Sequence, residues 1–355
     1  GILKPAGSAM ANCLSNTDRA VANQHARTRS LLASRIRSTA AQNKLLVGIY
    51  EQLMPMMERR SLRSYGATDV YHSPNYMLPT FPGRRIVSIL DLSTYQYPDH
   101  HPRARVGFVN RHIENAIEAA DHIVTISNCV RSEIIARFNY PPQQVTTTYL
   151  GASGCFRPLS EANFGNKKDL LGLPYKGYFL FVSSIEPRKN LERLLDAYLV
   201  YRLTAKESAL PLVVTGIRGW KSEKTHKRLQ TLRAEGAVKY LGYVDQDQLP
   251  DLIAGARALL YPSLYEGFGL PVLEAMQSGT AVMTSENTAM SEYAGDSVLL
   301  VNPLDIDAMA NFIETLAHND ELLHKLENSG INAAKLFSWK RCADATLNAY
   351  QALLA

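Results

Sequence analysis

The chain has 355 residues, 46% of them hydrophobic and 20% charged, with a formal net charge of +5. That balance excludes a disordered chain, which would need fewer apolar residues and more net charge, and the length suits two domains of ordinary size. No apolar run approaches the ~18 residues that cross a bilayer, so no membrane-spanning helix is expected.

The stretch up to about Arg63 reads as helical, with few strand formers and only Pro5 and Pro55 as breakers. It holds Arg19, Arg27, Arg29, Arg35, Arg37, Arg59, Arg60 and Arg63, and residues 1–155 carry +7 against −2 for 156–355. These arginines read either as a solvated helical face or as a surface drawn to anionic lipid or a phosphate-bearing acceptor, where each charge contributes about 1 kcal/mol. With no aromatic interleaving and no binding motif, nucleic acid is not an expected partner. A doubly wound domain normally opens on a buried strand and a Gly-rich turn, and neither is read before residue 40. The first residues, GILKPAGSAM, lack the basic start and continuous apolar stretch of a secretory signal.

From Asp69 onward strands and helices alternate. Asp69–His72 and Arg85–Leu90 read as strands, followed by a helix with Val106, Val109, Ile113, Ala116, Ile117 and Ala120 on one stripe. His122–Ile126 reads as the next strand, and a turn-rich boundary falls at Gly151–Pro158. The alternation then restarts: Tyr178–Val182, Pro211–Gly216, Val238–Gly242 and Ala258–Pro262 as strands, with Leu191, Leu194, Leu195, Tyr198 and Leu199 on a helix. A last helix runs from Trp339 to Leu354. Alternation of this kind predicts parallel sheets covered on both faces, one in each half, with ligands bound between the halves.

Cys13, Cys129, Cys155 and Cys342 lie far apart and form no Cys-x-x-Cys pair, which fits a reducing cytoplasm. The nine histidines offer no His-Glu-x-x-His spacing, and adjacent His100 and His101 suit a loop, so no metal site is expected.

The most informative segment is the 18-residue run Pro262–Gly279, which contains Glu266-Gly-Phe-Gly-Leu-Pro-Val-Leu-Glu274. Gly267 and Gly269 leave the backbone open to close approach. Pro271 suits the first turn of a helix and Gly279 the position just past its end. A helix starting near Leu270 aims its free amides and positive dipole end at the loop, where phosphate binds. Glu266 and Glu274 then flank that anion and accept sugar hydroxyls. A second segment, Ser183-Ser-Ile-Glu-Pro-Arg-Lys-Asn190, follows a buried strand. Its Arg188 and Lys189 are the charges that a diphosphate leaving group needs, a fork and a point charge.

The first segment resembles the Glu-x7-Glu motif of glycosyltransferase family 4, whose members are retaining transferases with two Rossmann-like domains facing across a deep cleft (GT-B). That resemblance implies an acceptor domain over 1–155, a nucleotide-sugar domain over 156–337, and a crossover helix over 338–355 that returns to the first domain. It implies that Glu266 contacts the transferred sugar and Glu274 the nucleotide ribose, with Gly267, Phe268, Gly269 and Leu270 holding the diphosphate. Arg188 and Lys189 would contact the diphosphate, beside Ser184, where many relatives carry an arginine. Gly242, Tyr243 and Val244 would lie nearest the base. Asp91, in Ile-Leu-Asp-Leu-Ser, matches a family His-Asp-Leu-Ser stretch and is a candidate sugar or acceptor contact; Leu90 stands where the histidine is expected. Asp91 reads equally as a turn-capping residue, and Ser127 as the cap of a helix.

The style of both segments resembles bacterial O-antigen mannosyltransferases. It implies transfer of a hexose, mannose from GDP-mannose, with retention and without a metal, onto a glycan or polyprenyl-diphosphate-linked acceptor. The expected location is the cytoplasm, with peripheral contact between the basic first half and an anionic inner membrane. The alternatives are a UDP-sugar donor, or a non-catalytic module that binds sugar nucleotide as a scaffold.

Overall fold

The computed structural model describes residues 69–165 and 172–355, so the helical reading of the first 63 residues, their arginines and the opening strand lie outside it. The described chain builds two parallel sheets. The first is formed by β1 (Val70–Ser73), β2 (Arg84–Ile89), β3 (His122–Thr125) and β4 (Val145–Thr147), lying side by side in chain order. The second is formed by β5 (Phe179–Val182), β6 (Leu212–Thr215), β7 (Val238–Gly242), β8 (Ala258–Tyr261), β9 (Ala281–Ser285) and β10 (Leu299–Val301), in the order β10-β9-β8-β5-β6-β7. Every pairing in both sheets is parallel. Strands β6, β8 and β9 are buried along their whole length, as continuous apolar runs must be when helices cover both faces. β4, β9 and β10 are not among the strands read from the sequence; β4 and β10 are three residues each, and β9 follows the helix stop at Gly279 almost directly.

Helices α1 (Arg103–Ala119) and α2 (Asn128–Phe138) accompany the first sheet; α3 (Leu191–Ala205), α4 (Leu270–Gln277), α5 (Ala289–Ala294), α6 (Ile306–His318) and α7 (Asp320–Ala334) accompany the second. One core holds Phe179, Phe181, Leu194, Tyr198 and Ile313 under α3 and α6. Another holds Leu180, Tyr261, Phe268 and Leu273 on the opposite face. A third, smaller core in the first half is built on Val87, Ile89, Ile113 and Ile123. The last helix, α8 (Trp339–Leu354), returns to the first sheet: Tyr350 OH is 2.6 Å from His72 Nδ1, and a Cβ on Gly151 would lie 2.2 Å from the Trp339 amide nitrogen. No described helix is long and apolar enough to cross a membrane.

The order of the second sheet matters most for the site. The chain lays β5, β6 and β7 outward in one direction and then returns to place β8 on the other side of β5. The loops leaving β5 and β8 therefore diverge at their carboxyl ends, and the crevice at such a reversal is where open α/β sheets bind ligands.

Candidate active site

Two sequence-distant loops meet at that crevice because the strands carrying them pair directly. The loop after β5 forms a tight 3-10 turn, Pro187–Lys189, closed by Asn190 in the left-handed region at φ +60°. The Asn190 amide donates to the carbonyls of Pro262 (3.0 Å) and Pro303 (2.7 Å), and the Leu264 N–H donates to the Arg188 carbonyl at 2.9 Å. The turn is thereby fastened to the loop after β8, and its two cations face Glu266.

Glu266 is buried, at 7% exposure. Its Oε1 accepts from Lys189 Nζ (2.5 Å), Ser263 Oγ (2.7 Å) and Tyr261 OH (3.0 Å), and its Oε2 accepts from Arg188 at 2.9 Å. Burial alone would raise its pKa; Lys189 and Arg188 outweigh it and hold the carboxyl at about 2. Arg188 also donates to the Tyr265 carbonyl (2.6 Å) and to Glu186 (2.9 Å). A Glu266 wholly open to a sugar, as the motif alone suggested, is therefore not what the fold builds. Oε1 is saturated by three donors, and any substrate hydroxyl must reach Oε2.

Glu274 is different. It sits one turn inside α4, half-buried, and its carboxylate has no hydrogen-bond or ion-pair partner among the described residues. Desolvation raises its pKa to about 7. An unpartnered carboxylate at the mouth of a crevice is one that a ligand can satisfy. α4 itself starts on Gly269, left-handed at φ +88°, with no side-chain cap. Pro271 has no N–H and the Val272 N–H is taken by the Gly269 carbonyl at 3.0 Å, so the amides that can meet an anion are those of the loop running into Leu270, at the positive end of the helix dipole.

The first half closes over this loop. A Cβ on Gly267 would lie 2.0 Å from the Leu90 carbonyl oxygen, so only glycine permits the approach. We expect Gly267→Ala to force that contact open by about an ångström and lower kcat/KM for transfer about 100-fold, since misplacement on this scale has that effect. Nucleotide affinity measured by calorimetry should stay within a few-fold; a normal transfer rate would show that the approach is dispensable. Asp91 lies beside the contact, and its Oδ1 accepts from the Ser93 N–H at 2.8 Å, so it caps the turn that follows β2. Ser127 caps α2 through the Val130 N–H at 3.2 Å.

The remaining expected residues divide. Ser184 is half-buried at the exit of β5, on the crevice side of the same loop. Gly242, at φ +69°, ends β7, with exposed Tyr243 and half-buried Val244 behind it. That loop lies two strands from β5, at the same sheet end. Leu270 packs on the core. The Phe268 ring is 1% exposed and stacks on Tyr293 at 4.6 Å, so this residue can meet a ligand only through its backbone, the part that the loop reading assigns to it.

Several contacts between the halves had no local signal in the sequence. Glu292 on α5 accepts from the N–H groups of Asn128 (2.8 Å) and Cys129 (2.7 Å) at the start of α2, and from Tyr149 OH. Tyr265 OH donates to Glu133 (2.6 Å) and accepts from the Leu92 N–H (3.0 Å). Lys221 donates to the Asp99 carbonyl at 2.6 Å.

Two parallel α/β halves, with paired carboxylates, paired cations and an uncapped helix start at the switch point between them, define a glycosyltransferase of the GT-B class. Comparison with known proteins agrees. Residues 167–333 match the family model "Glycosyl transferases group 1". The chain is 37% identical over 309 residues to the O-antigen chain mannosyltransferase B of Escherichia coli, covering 87% of this chain and 81% of that protein. It is 23% identical over 270 residues to the O-antigen chain mannosyltransferase RfbU of Salmonella typhimurium, covering 76% and 70%. Among solved structures, the sucrose-phosphate synthase of Thermosynechococcus elongatus aligns with a TM-score of 0.71 at 21% identity, over 86% of this chain and 79% of that one, and shares the fold. The chain belongs to the group 1 glycosyltransferase family and is an enzyme of that kind.

Proposed function

We propose that this enzyme transfers a mannosyl group from GDP-mannose, with retention, onto a glycan or polyprenyl-diphosphate-linked saccharide in O-antigen-type polysaccharide synthesis. The observation that carries the reading is the clamp at the switch point, in which Lys189 and Arg188 converge on Glu266 beside the free start of α4. The two O-antigen chain mannosyltransferases to which the chain is similar support mannose and the O-antigen chain.

In this reading the donor diphosphate lies on the loop amides of Gly267 to Leu270 that lead into α4, opposite Lys189. The guanidinium of Arg188 gives three of its five N–H groups to Tyr265, Glu266 and Glu186 and keeps a buried, unbonded Nε–H, and the Lys189 ammonium has two acceptors, Glu266 and Tyr261, and a third hydrogen to give. Both cations therefore have an N–H left for the leaving group, and Arg188 also holds Glu266 in place. The glycosidic C–O bond breaks toward the diphosphate, the acceptor oxygen attacks from the same face, and its proton passes to the departing phosphate oxygen. No protein base is required, and Asp91 keeps its turn-capping role. Lys189, Arg188 and the helix start supply the positive charge that a metal supplies in other transferases. Glu274 takes the ribose hydroxyls. Closure of the halves excludes water and suppresses hydrolysis. The basic first half would bring the enzyme to an anionic membrane surface carrying the acceptor.

Donor choice is read most directly by thermal shift, because a ligand that binds only the folded state raises the melting temperature. GDP and GDP-mannose should raise it more than UDP, UDP-glucose or ADP at equal concentration. A larger shift with UDP-sugars would replace the guanine donor by a uridine one.

A further inference from the structure

Where the start of α1 meets the loop after β6, five buried nitrogen atoms have no hydrogen-bond partner: both ring nitrogens of His101, Nδ1 of His100, Nε of Arg105 and Nε1 of Trp220. His101 is 2% exposed. Its ring lies 5.5 Å from the Trp220 indole, over which the Arg105 guanidinium packs at 5.0 Å. Buried polar groups are nearly always bonded, and each orphan weakens the fold, so five at one place call for a partner that arrives from outside.

The chemistry of that partner can be read from the atoms. The indole N–H and the arginine Nε–H only donate, while each neutral imidazole offers one donor and one acceptor. Burial, with Arg105 and Arg188 close by, holds His101 at about 4, so its imidazole is neutral at physiological pH. A set of donors with a few acceptors matches neighbouring hydroxyl groups, each of which both accepts and donates. A bare phosphate would leave the imidazole lone pairs facing oxygen lone pairs.

Position narrows it further. Beside Trp220, the Gly219 N–H donates to the Ile185 carbonyl of the clamp loop at 3.0 Å, and His100 stacks at 5.2 Å on Tyr97, whose OH donates to the Leu264 carbonyl at 3.2 Å, so the cluster borders the diphosphate clamp. Its members come from both halves of the cleft, held together there by Lys221 on the Asp99 carbonyl, so parting the halves exposes them at once. The sugar bonded directly to the diphosphate is the polyol that must lie within one ring of that clamp. We propose that His101 and Trp220 bind hydroxyl groups of the transferred hexose and so determine which sugar the enzyme accepts. The inference rests on the glycosyl-transfer reading above and adds to it the residues that read the sugar.

The test compares GDP with GDP-mannose, by calorimetry, on the wild type, Trp220→Phe and His101→Leu; a UDP and UDP-hexose pair is used if the wild type prefers it. Both variants remove buried, unbonded nitrogen, so their melting temperatures should equal or exceed that of the wild type. Each should bind the nucleoside diphosphate within twofold of the wild type but bind the nucleotide hexose roughly fivefold to tenfold more weakly, the effect of one lost hydrogen bond. Unchanged nucleotide-hexose affinity with a raised KM for acceptor would assign the cluster to the acceptor and overturn the inference. Equal weakening of both ligands would reduce it to a prop for the loop. A wild type that binds neither nucleotide hexose would instead overturn the transferase reading on which the inference stands.

Discussion

Glu266→Gln should lose transfer by at least about 100-fold and also lose about 3–5 kcal/mol of stability. The first figure is typical for removing one element of a preorganised charge-stabilising site. The second follows because the substitution leaves Lys189 buried without its counter-charge and Arg188 with Glu186 alone. The Glu266→Gln, Lys189→Met double variant should recover most of the stability, since Arg188 keeps Glu186 and the Tyr265 carbonyl, yet remain inactive. Steady-state transfer assays and denaturant melts separate the two effects. A double variant no more stable than the single one would mean that the ion cluster is not what Glu266 supports. The pH dependence has a definite sign. The carboxyl is depressed in the folded state to about 2, so its contribution is fully present above the unfolded value near 4.5 and is lost as pH falls toward 2. Acid unfolding of the wild type should steepen in that window, and that of Glu266→Gln should not.

Glu274→Gln should act oppositely on stability and in the same direction on function. Burial raises this carboxyl to about 7, so the stability it permits is fully present below pH 4.5 and is lost as pH rises through 7. Glutamine removes the ionisation: the melting temperature should rise at pH 8 and barely change at pH 4.5. Nucleotide affinity at pH 8 should fall about 10- to 100-fold, as expected for losing a hydrogen bond to a charged group worth about 1.5–3 kcal/mol. In the wild type, a ribose bound to the ionised form makes affinity increase with pH between about 5 and 7 and level off above. Calorimetry at pH 5, 6, 7 and 8 tests this, and a flat profile would remove Glu274 from the ribose site. A group that destabilises the apo-protein at working pH and improves ligand binding follows the usual trade between stability and activity.

Much of the site was legible locally. The Gly-x-Gly before a Pro-started helix announces an anion-binding helix start, because glycine, proline and free amides act within a few residues of one another. Glu266 and Glu274 could be named from their spacing around that start. Their unlike states could not be foreseen. One lies beneath two cations brought from 77 and 78 residues away in sequence, and the carboxylate of the other has no partner among the described residues. Burial and charge around a carboxylate are set by whatever the fold brings to it, and no local pattern encodes that. His101 illustrates the same limit: in the sequence it is half of a His-His pair in a Pro-flanked turn, and only its contact with Trp220 singles it out.

By itself, the amino-acid order determined the class of fold, the rhythm of strand and helix, and the two loops that carry the chemistry, because periodicity, helix capping and glycine geometry are short-range. Only the tertiary structure decided that β8 returns beside β5 and sets those loops face to face, that Phe268 turns inward, and that Glu292, Tyr265 and Lys221 join the two halves. Strand order depends on pairing segments far apart in the chain, and the closing of one half on the other on contacts between residues more than a hundred apart.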